Sequence, residues 1–367
     1  MENKEFLTEQ IITYLGNKRS LLNFIDNVIE IVKQELKKDK LSTFDVFSGS
    51  GIVSRYLKQH SKVLYCNDLE GYAKTINTCY LTNISDIDEE ELNNWYKFLV
   101  ENLSDDKLIA DGFIRRLYSP KDDNDIQDGD RVFYTVRNAK YIDTARQLIE
   151  KLPEPYRTLF MGPLLYEAST KNNTSGVFKG FYKNSITKRG QFGGNGRHAL
   201  NRILADIEIK KPVLSNYECE VHILQGDSNE ICKELPVVDL AYLDPPYNQH
   251  PYSSNYFMLN LINEYKEPLI ISKVSGIPTD WNKSNYNKKQ EALLSLEKLC
   301  KDLKAKYILI SFNSEGFISY EDMVDMLGKL GKVRTFDQKY NVFRACRNLR
   351  ERNIHVLEYL FLLEKEV

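Results

Sequence analysis

The stretch VVDLAYLDPPYNQH, from Val237 to His250, decides how this chain is read. Val237, Val238, Leu240, Ala241 and Leu243 make an apolar run of the kind parallel sheets bury on both faces. Pro245 and Pro246 end it at once, because neither can donate to a strand ladder. Asp244 is left at the carboxyl tip of a buried strand, where open α/β sheets keep their ligand crevice. Taken alone, the stretch also fits a strand-ending turn with a chance Tyr247, so its surroundings must decide.

Upstream, STFDVFSGSGIVSRYLKQHSKVLYCND (Ser42–Asp68) reads as strand, glycine turn, helix and strand. Phe44, Val46 and Phe47 are the apolar strand residues, and Ser48, Gly49, Ser50 and Gly51 are the turn. A helix is predicted from about Ile52 to Gln59, then a strand over Val63–Cys66 ending at Asn67 and Asp68. Such a unit opens a nucleotide-binding sheet, and its glycines let the backbone approach a ligand closely. It is neither the spaced dinucleotide fingerprint nor a phosphate loop, since no lysine follows. Asp68 is suited to accept hydrogen bonds from ribose hydroxyls. Further strands are predicted before Gly226–Asp227 and from Tyr307 to Phe312. GKVRTFDQKYNVFRACRNLRERNIHVLEYLFLLEK alternates around a basic turn, as a closing hairpin would. Ser48–Gly51, Asp68, Asp227 and Asp244 then share one edge of the sheet. A nucleoside-like ligand fits that set, with DPPY at its far end facing a second substrate.

The bulk numbers agree with a globular chain. Of 367 residues, 42% are hydrophobic and 28% charged, enough for one large domain or two ordinary ones. The amino terminus lacks the apolar core of a signal peptide, and no apolar run approaches membrane-spanning length. Six cysteines (66, 79, 219, 232, 300 and 346) show no paired spacing for zinc or redox work. They read as reduced core residues of a cytoplasmic protein. Net charge is −2, but its distribution is uneven. From Asp86 to Asp130 there are fourteen acids against five bases, whereas Ala168 to Ala205 holds seven Lys or Arg, one His and no acid. Residues 86–214 therefore read as an insertion into a domain made of 1–85 and 215–367. Lys179, Lys183, Lys188, Arg189, Arg197 and Arg202 are its candidate nucleic-acid contacts, and Arg344, Arg347, Arg350 and Arg352 in the closing hairpin form a second surface.

YLGNKRSLL (Tyr14–Leu22), DVFSGSG (Asp45–Gly51), DPPY (Asp244–Tyr247) and SFNSEG (Ser311–Gly316) together resemble the adenine-specific DNA methyltransferases of the Dam-like group. FRACRNLRERNIHVLEYLFLLEK and NTSGVFKGF are most similar to FokI-type modification methyltransferases, while Asp86–Glu150 matches nothing assignable. The resemblance implies a Rossmann-like class I methyltransferase sheet with helices on both faces and an inserted target-recognition lobe. It implies S-adenosylmethionine as cofactor, held by Tyr14, Lys18, Phe47, Ser48, Gly49, Gly51, Asp68, Asp227 and Asp244. It also implies double-stranded DNA as substrate, a cognate restriction endonuclease as possible partner, and a monomer. Asp244, Pro245, Pro246 and Tyr247 would hold a flipped adenine. The chemistry needs those residue types: a carboxylate and a fixed carbonyl can each take one amino hydrogen, turning the nitrogen lone pair toward the methyl group. Other acceptors (cytosine N4, RNA adenine, a protein amide) and an inactive DNA-binding subunit are the alternatives. Cytosine-directed relatives usually carry serine in place of Asp244, and protein-glutamine enzymes asparagine.

Overall fold

The computed structural model describes residues 1–341 and 355–365. Seven strands form one sheet: β1 (Leu41–Asp45), β2 (Ser61–Asp68), β3 (Glu220–Gln225), β4 (Val238–Leu243), β5 (Ala305–Asn313), β6 (Gly331–Asn341) and β7 (His355–Lys365). Their order is β3-β2-β1-β4-β5-β7-β6. The first five run parallel, and β7 lies antiparallel between β5 and β6. The closing hairpin thus returns into the sheet as expected. Its connection lies outside the described residues, and Arg344, Arg347, Arg350, Arg352 and Cys346 with it.

Helices in chain order are α1 (Leu22–Leu36), α2 (Ile52–Lys58), α3 (Gly71–Leu81), α4 (Glu89–Asn102), α5 (Phe113–Tyr118), α6 (Val136–Ile149), α7 (Tyr156–Thr170) and α8 (Leu200–Leu204). They continue with α9 (Ser228–Glu234), α10 (Tyr252–Asn255), α11 (Phe257–Glu264), α12 (Lys289–Asp302) and α13 (Tyr320–Gly328). Strand alternation distributes the sheet between two apolar layers. Tyr307, Leu309, Leu360 and Leu362 pack with Ile25, Val28 and Ile29 of α1. Their neighbours Ile308, Ile310, Phe361 and Leu363 pack with Leu296 and Leu299 of α12 and Met323 of α13. β4 is buried along its whole length, which explains its near-continuous apolar sequence.

A third apolar cluster joins α3 and α11 to α4–α7, together with Phe6 and Ile12. Gly162 of α7 lets that helix approach α3, since a Cβ there would lie 2.5 Å from Cys79 Sγ. Val46 and Phe47 fall beyond β1 rather than within it, because the turn begins directly after Asp45. Val46 N–H still donates to the Tyr242 carbonyl at 3.0 Å, so the chain runs beside β4 up to the glycines. The five described cysteines are buried and unpaired. No described helix is long and apolar enough to cross a membrane.

Candidate active site

The parallel strands all deliver their carboxyl ends to one edge, and there a cleft of about 920 Å³, including its open mouth, gathers residues from distant parts of the chain. Tyr14, Lys18, Phe47, Ser48, Gly49, Asp68, Asp227, Asp244 and Pro246 line it. Gly49 and Gly51 have φ of +48° and +78°, in the left-handed region that side chains disfavour. A Cβ on Gly49 would sit 2.8 Å from the Tyr14 ring. One on Gly51, which caps α2, would meet Asn77 Oδ1 at 2.7 Å.

Asp68 holds this turn in place. Its Oδ2 accepts the Gly49 N–H at 2.8 Å and its Oδ1 the Glu70 N–H at 2.9 Å. Burial pushes the Asp68 carboxyl up, against those backbone hydrogen bonds that favour the ionised form. Beside it Glu70, raised to about 7 by burial, accepts from Asn260 Nδ2 at 2.6 Å. Asp227 caps α9 by accepting the Asn229 N–H at 2.8 Å, and its other oxygen is not committed to that cap. Phe47 packs edge-on against Tyr286, ring centroids 5.1 Å apart.

At the other end, Lys18 is 2% exposed, and its Nζ lies 2.9 Å from Asp244 Oδ1 and 3.2 Å from Glu358 Oε1. Burial alone would lower the ammonium; the two carboxylates outweigh it and hold it well above the usual lysine range. Burial raises the Asp244 carboxyl to about 6, with Lys18 pulling it down and Glu358 pushing it further up. Tyr247 packs edge-on against Phe312 of β5, centroids 6.3 Å apart, and its carbonyl accepts the Phe317 N–H at 3.1 Å. SFNSEG therefore braces DPPY. Tyr14 packs against both Tyr252 and Tyr256, with centroids 4.9 and 4.7 Å away, in a cluster of three rings whose other two lie 6.1 Å apart. Leu15 N–H donates to the Tyr256 hydroxyl at 2.7 Å, and the Tyr252 hydroxyl donates to the Leu15 carbonyl at 3.1 Å. YLGNK is thus threaded between the glycine turn and the segment that follows DPPY.

Glu70, Tyr286 and Glu358 are absent from the sequence-based set. The first follows Asp68 by two residues and could have been found as a second acid at the same strand tip. Tyr286 lies in a loop, SNYNKKQ, with no periodic signal. Among the basic candidates, Lys179 meets His250 Nδ1 at 3.0 Å, which brings the acid-free segment alongside the loop after DPPY. Lys188, Arg189 and Arg197 are exposed. Lys183 is half-buried and lies over the Phe181 ring. Arg202 is also half-buried, and its guanidinium is taken up by the Thr170 and Thr174 carbonyls, a structural use.

Residues 14–326 match the family of D12 class N6 adenine-specific DNA methyltransferases. The chain belongs to that family. Type II methyltransferase M.CviAII of Paramecium bursaria Chlorella virus 1 is 30% identical over 96% of this chain and 98% of its own length. Type II methyltransferase M.NlaIII of Neisseria lactamica is 28% identical over 96% and 99%. Type II methyltransferase M.FokI of Planomicrobium okeanokoites is 26% identical over 96% of this chain but only 53% of its own length. N6 adenine-specific DNA methylation takes a DNA adenine as acceptor and requires a methyl donor. The matched span stops before β6 and β7, so Glu358 lies outside it.

Proposed function

We propose that this protein transfers the methyl group of S-adenosylmethionine to N6 of an adenine flipped out of duplex DNA. We assign it the modification role of a restriction–modification system, as a monomer working in the cytoplasm, with a cognate endonuclease as partner. The observation that carries the reading is the single cleft running from the glycine turn to Asp244. Its residues suit the donor: a wall without Cβ at Gly49, carboxylates at Asp68 and Glu70 for ribose hydroxyls, and Asp227 near the base. Phe47, Ser48 and Tyr14 complete that end, Gly51 turns the chain into α2 behind it, and Lys18 closes the cleft against Asp244. When bound, S-adenosylmethionine supplies a methyl group activated on a sulfonium.

The remaining work belongs to the protein. Asp244 Oδ2, which takes no protein hydrogen bond among the described residues, accepts one amino hydrogen, and the Pro245 carbonyl accepts the other. The Pro245–Pro246 pair fixes that carbonyl. The nitrogen lone pair is left pointing along the transfer axis, and charge developing on nitrogen meets a preorganised anion. Alignment of this kind can contribute about 7–11 kcal/mol. Tyr247 gives the flipped base a ring to stack on. Residues 86–214 are the target-recognition lobe, whose exposed Lys179, Lys188, Arg189 and Arg197 contact phosphates while Lys183 and Arg202 shape its surface; Arg344 and Arg347 extend the footprint.

The test is transfer of labelled methyl from S-adenosylmethionine to mixed-sequence duplex DNA, followed by nucleoside analysis. N6-methyladenine is expected. Methylated cytosine, or label in RNA or protein alone, overturns the assignment of the acceptor.

Two further outcomes are expected. The Asp244 carboxylate is the competent acceptor, so with a folded pKa of about 6 it loses that form as pH falls. Single-turnover rates should therefore be flat above about pH 7 and drop tenfold per unit below about 5. A limb at the ordinary carboxylate value near 4 would contradict this. Replacing Lys188 and Arg189 by alanine should lower the slope of log affinity against log salt by about 1.8, roughly 0.9 for each phosphate that is no longer neutralised. An unchanged slope removes this part of the footprint.

A further inference from the structure

Lys18, Glu358 and Ser311 form a buried network behind Asp244. Glu358 is completely buried on β7, and the Ser311 hydroxyl of β5 donates to its Oε1, the oxygen that also faces Lys18. Glu358 Oε2 is buried and has no hydrogen-bond partner among the described residues. A half-satisfied buried carboxylate weakens a fold rather than strengthening it. Its place is better explained by what it does to the neighbouring cation.

We propose that Glu358 is a positioning residue for the transfer reaction: it tethers the Lys18 ammonium against Asp244 Oδ1, leaving Oδ2 as the oxygen that meets the adenine amine. This rests on the reading of Asp244 as the amine's acceptor. The ammonium is short of alternatives, since it is enclosed, with one carboxylate neighbour just beyond the end of β4 and the other on β7. With Glu358 on one side, Lys18 cannot swing forward and occupy both oxygens of Asp244. Lys18 then divides its charge between Asp244 and Glu358 instead of giving all of it to the acceptor. Glu358 thus also sets how readily Asp244 ionises, by adding a like charge that Lys18 does not fully cancel.

The groups facing Asp244 are Lys18 from the N-terminal segment, Glu358 from β7, Tyr242 from β4, and Tyr247 and Tyr252 from the loop and helix after DPPY. Asp45 of β1 faces it as well; burial raises that carboxyl to about 7, and Asp244 adds to the rise. Of these, Lys18 and Glu358 act on the Asp244 carboxyl in opposite senses, and Glu358→Gln isolates the second with little change of shape.

The experiment is a titration of the Asp244 carboxyl by carbon-13 NMR in the protein without donor or DNA, on parent, Glu358→Gln, Lys18→Gln and the double variant. Parent titration is expected near 6. Glu358→Gln should lower the midpoint by about 1 unit and Lys18→Gln should raise it, with the double variant below Lys18→Gln. In single-turnover transfer, Glu358→Gln should reduce the plateau rate with little change in the KM for donor, and its acid limb should move down with the carboxyl. A midpoint that ignores Glu358 in both backgrounds, with thermal unfolding showing folded proteins, overturns the proposal. So does a rate loss equal at every pH. If Glu358→Gln does not fold, the comparison of Lys18→Gln with the double variant carries the same decision. Because the titration involves no DNA, the wrong acceptor would show in product analysis and leave the carboxyl shifts untouched.

Discussion

Asp244→Ala is expected to reduce methyl transfer about 10²–10³-fold at saturating DNA and donor, the cost of losing one preorganised electrostatic partner in the transition state. What survives is the Pro245 carbonyl, which accepts one amino hydrogen and leaves the lone pair poorly aimed. The fold should persist, because Lys18 keeps Glu358 at 3.2 Å as a partner for its charge. Asp244→Asn is the sharper form of the test. It keeps the shape, but its amide nitrogen donates where an acceptor is needed, and Lys18 would sort its carbonyl oxygen backward. Donor binding by calorimetry should remain within a few-fold of the parent in both variants. Transfer within about tenfold of the parent would show that Asp244 is not the acceptor on which the reaction depends.

Tyr247→Ala should weaken productive DNA binding by roughly 5–150-fold, the range spanned by about 1–3 kcal/mol of base–aromatic stacking. Flipping a base costs a few kcal/mol, so the loss falls on the balance between stacked and extruded states. Tyr247→Phe keeps the ring and its edge-on packing against Phe312, and should behave close to the parent. A fluorescent adenine analogue at the target position reports the outcome: its unstacking signal should shrink with alanine and persist with phenylalanine. Equal signals in all three proteins would move the stacking partner elsewhere, to Tyr252 first.

The parts of this molecule that could be read in the sequence are those where one local rule dominates. β4 is buried on both faces and stopped by two prolines, so Asp244 announces itself at a strand tip. The glycine turn is legible because only glycine adopts such angles against a tyrosine ring at no cost. Strand ends were less legible: β2 extends from Ser61 to Asp68, beyond the Val63–Cys66 apolar stretch, since edge polarity does not break a ladder. The packing of α4–α7 was not legible, because their apolar residues meet α3 and α11 across long sequence separations. Glu358 was hidden for a topological reason. A lone acid in HVLEYLFLLEK looks like the solvent side of a strand, yet β7 is antiparallel, so its first residues lie level with the last residues of β5. Glu358 pairs with Asn313, at the very tip that faces the cleft. Register, which no short motif carries, turned a surface-like residue into part of the site.

Lys18 and Glu358 stand 340 positions apart in the chain and meet at one carboxylate. A nascent polypeptide can close the parallel strands and the glycine turn well before residue 358 has left the ribosome. During that interval Lys18 has Asp244 alone as its anionic neighbour, and the acceptor oxygens are neutralised by a cation free to sit across both. On the role proposed for Glu358, competence to modify DNA arrives with β7, as a late event in synthesis. A chain cut short of β7 would carry the donor cleft without the charge arrangement that lets it act.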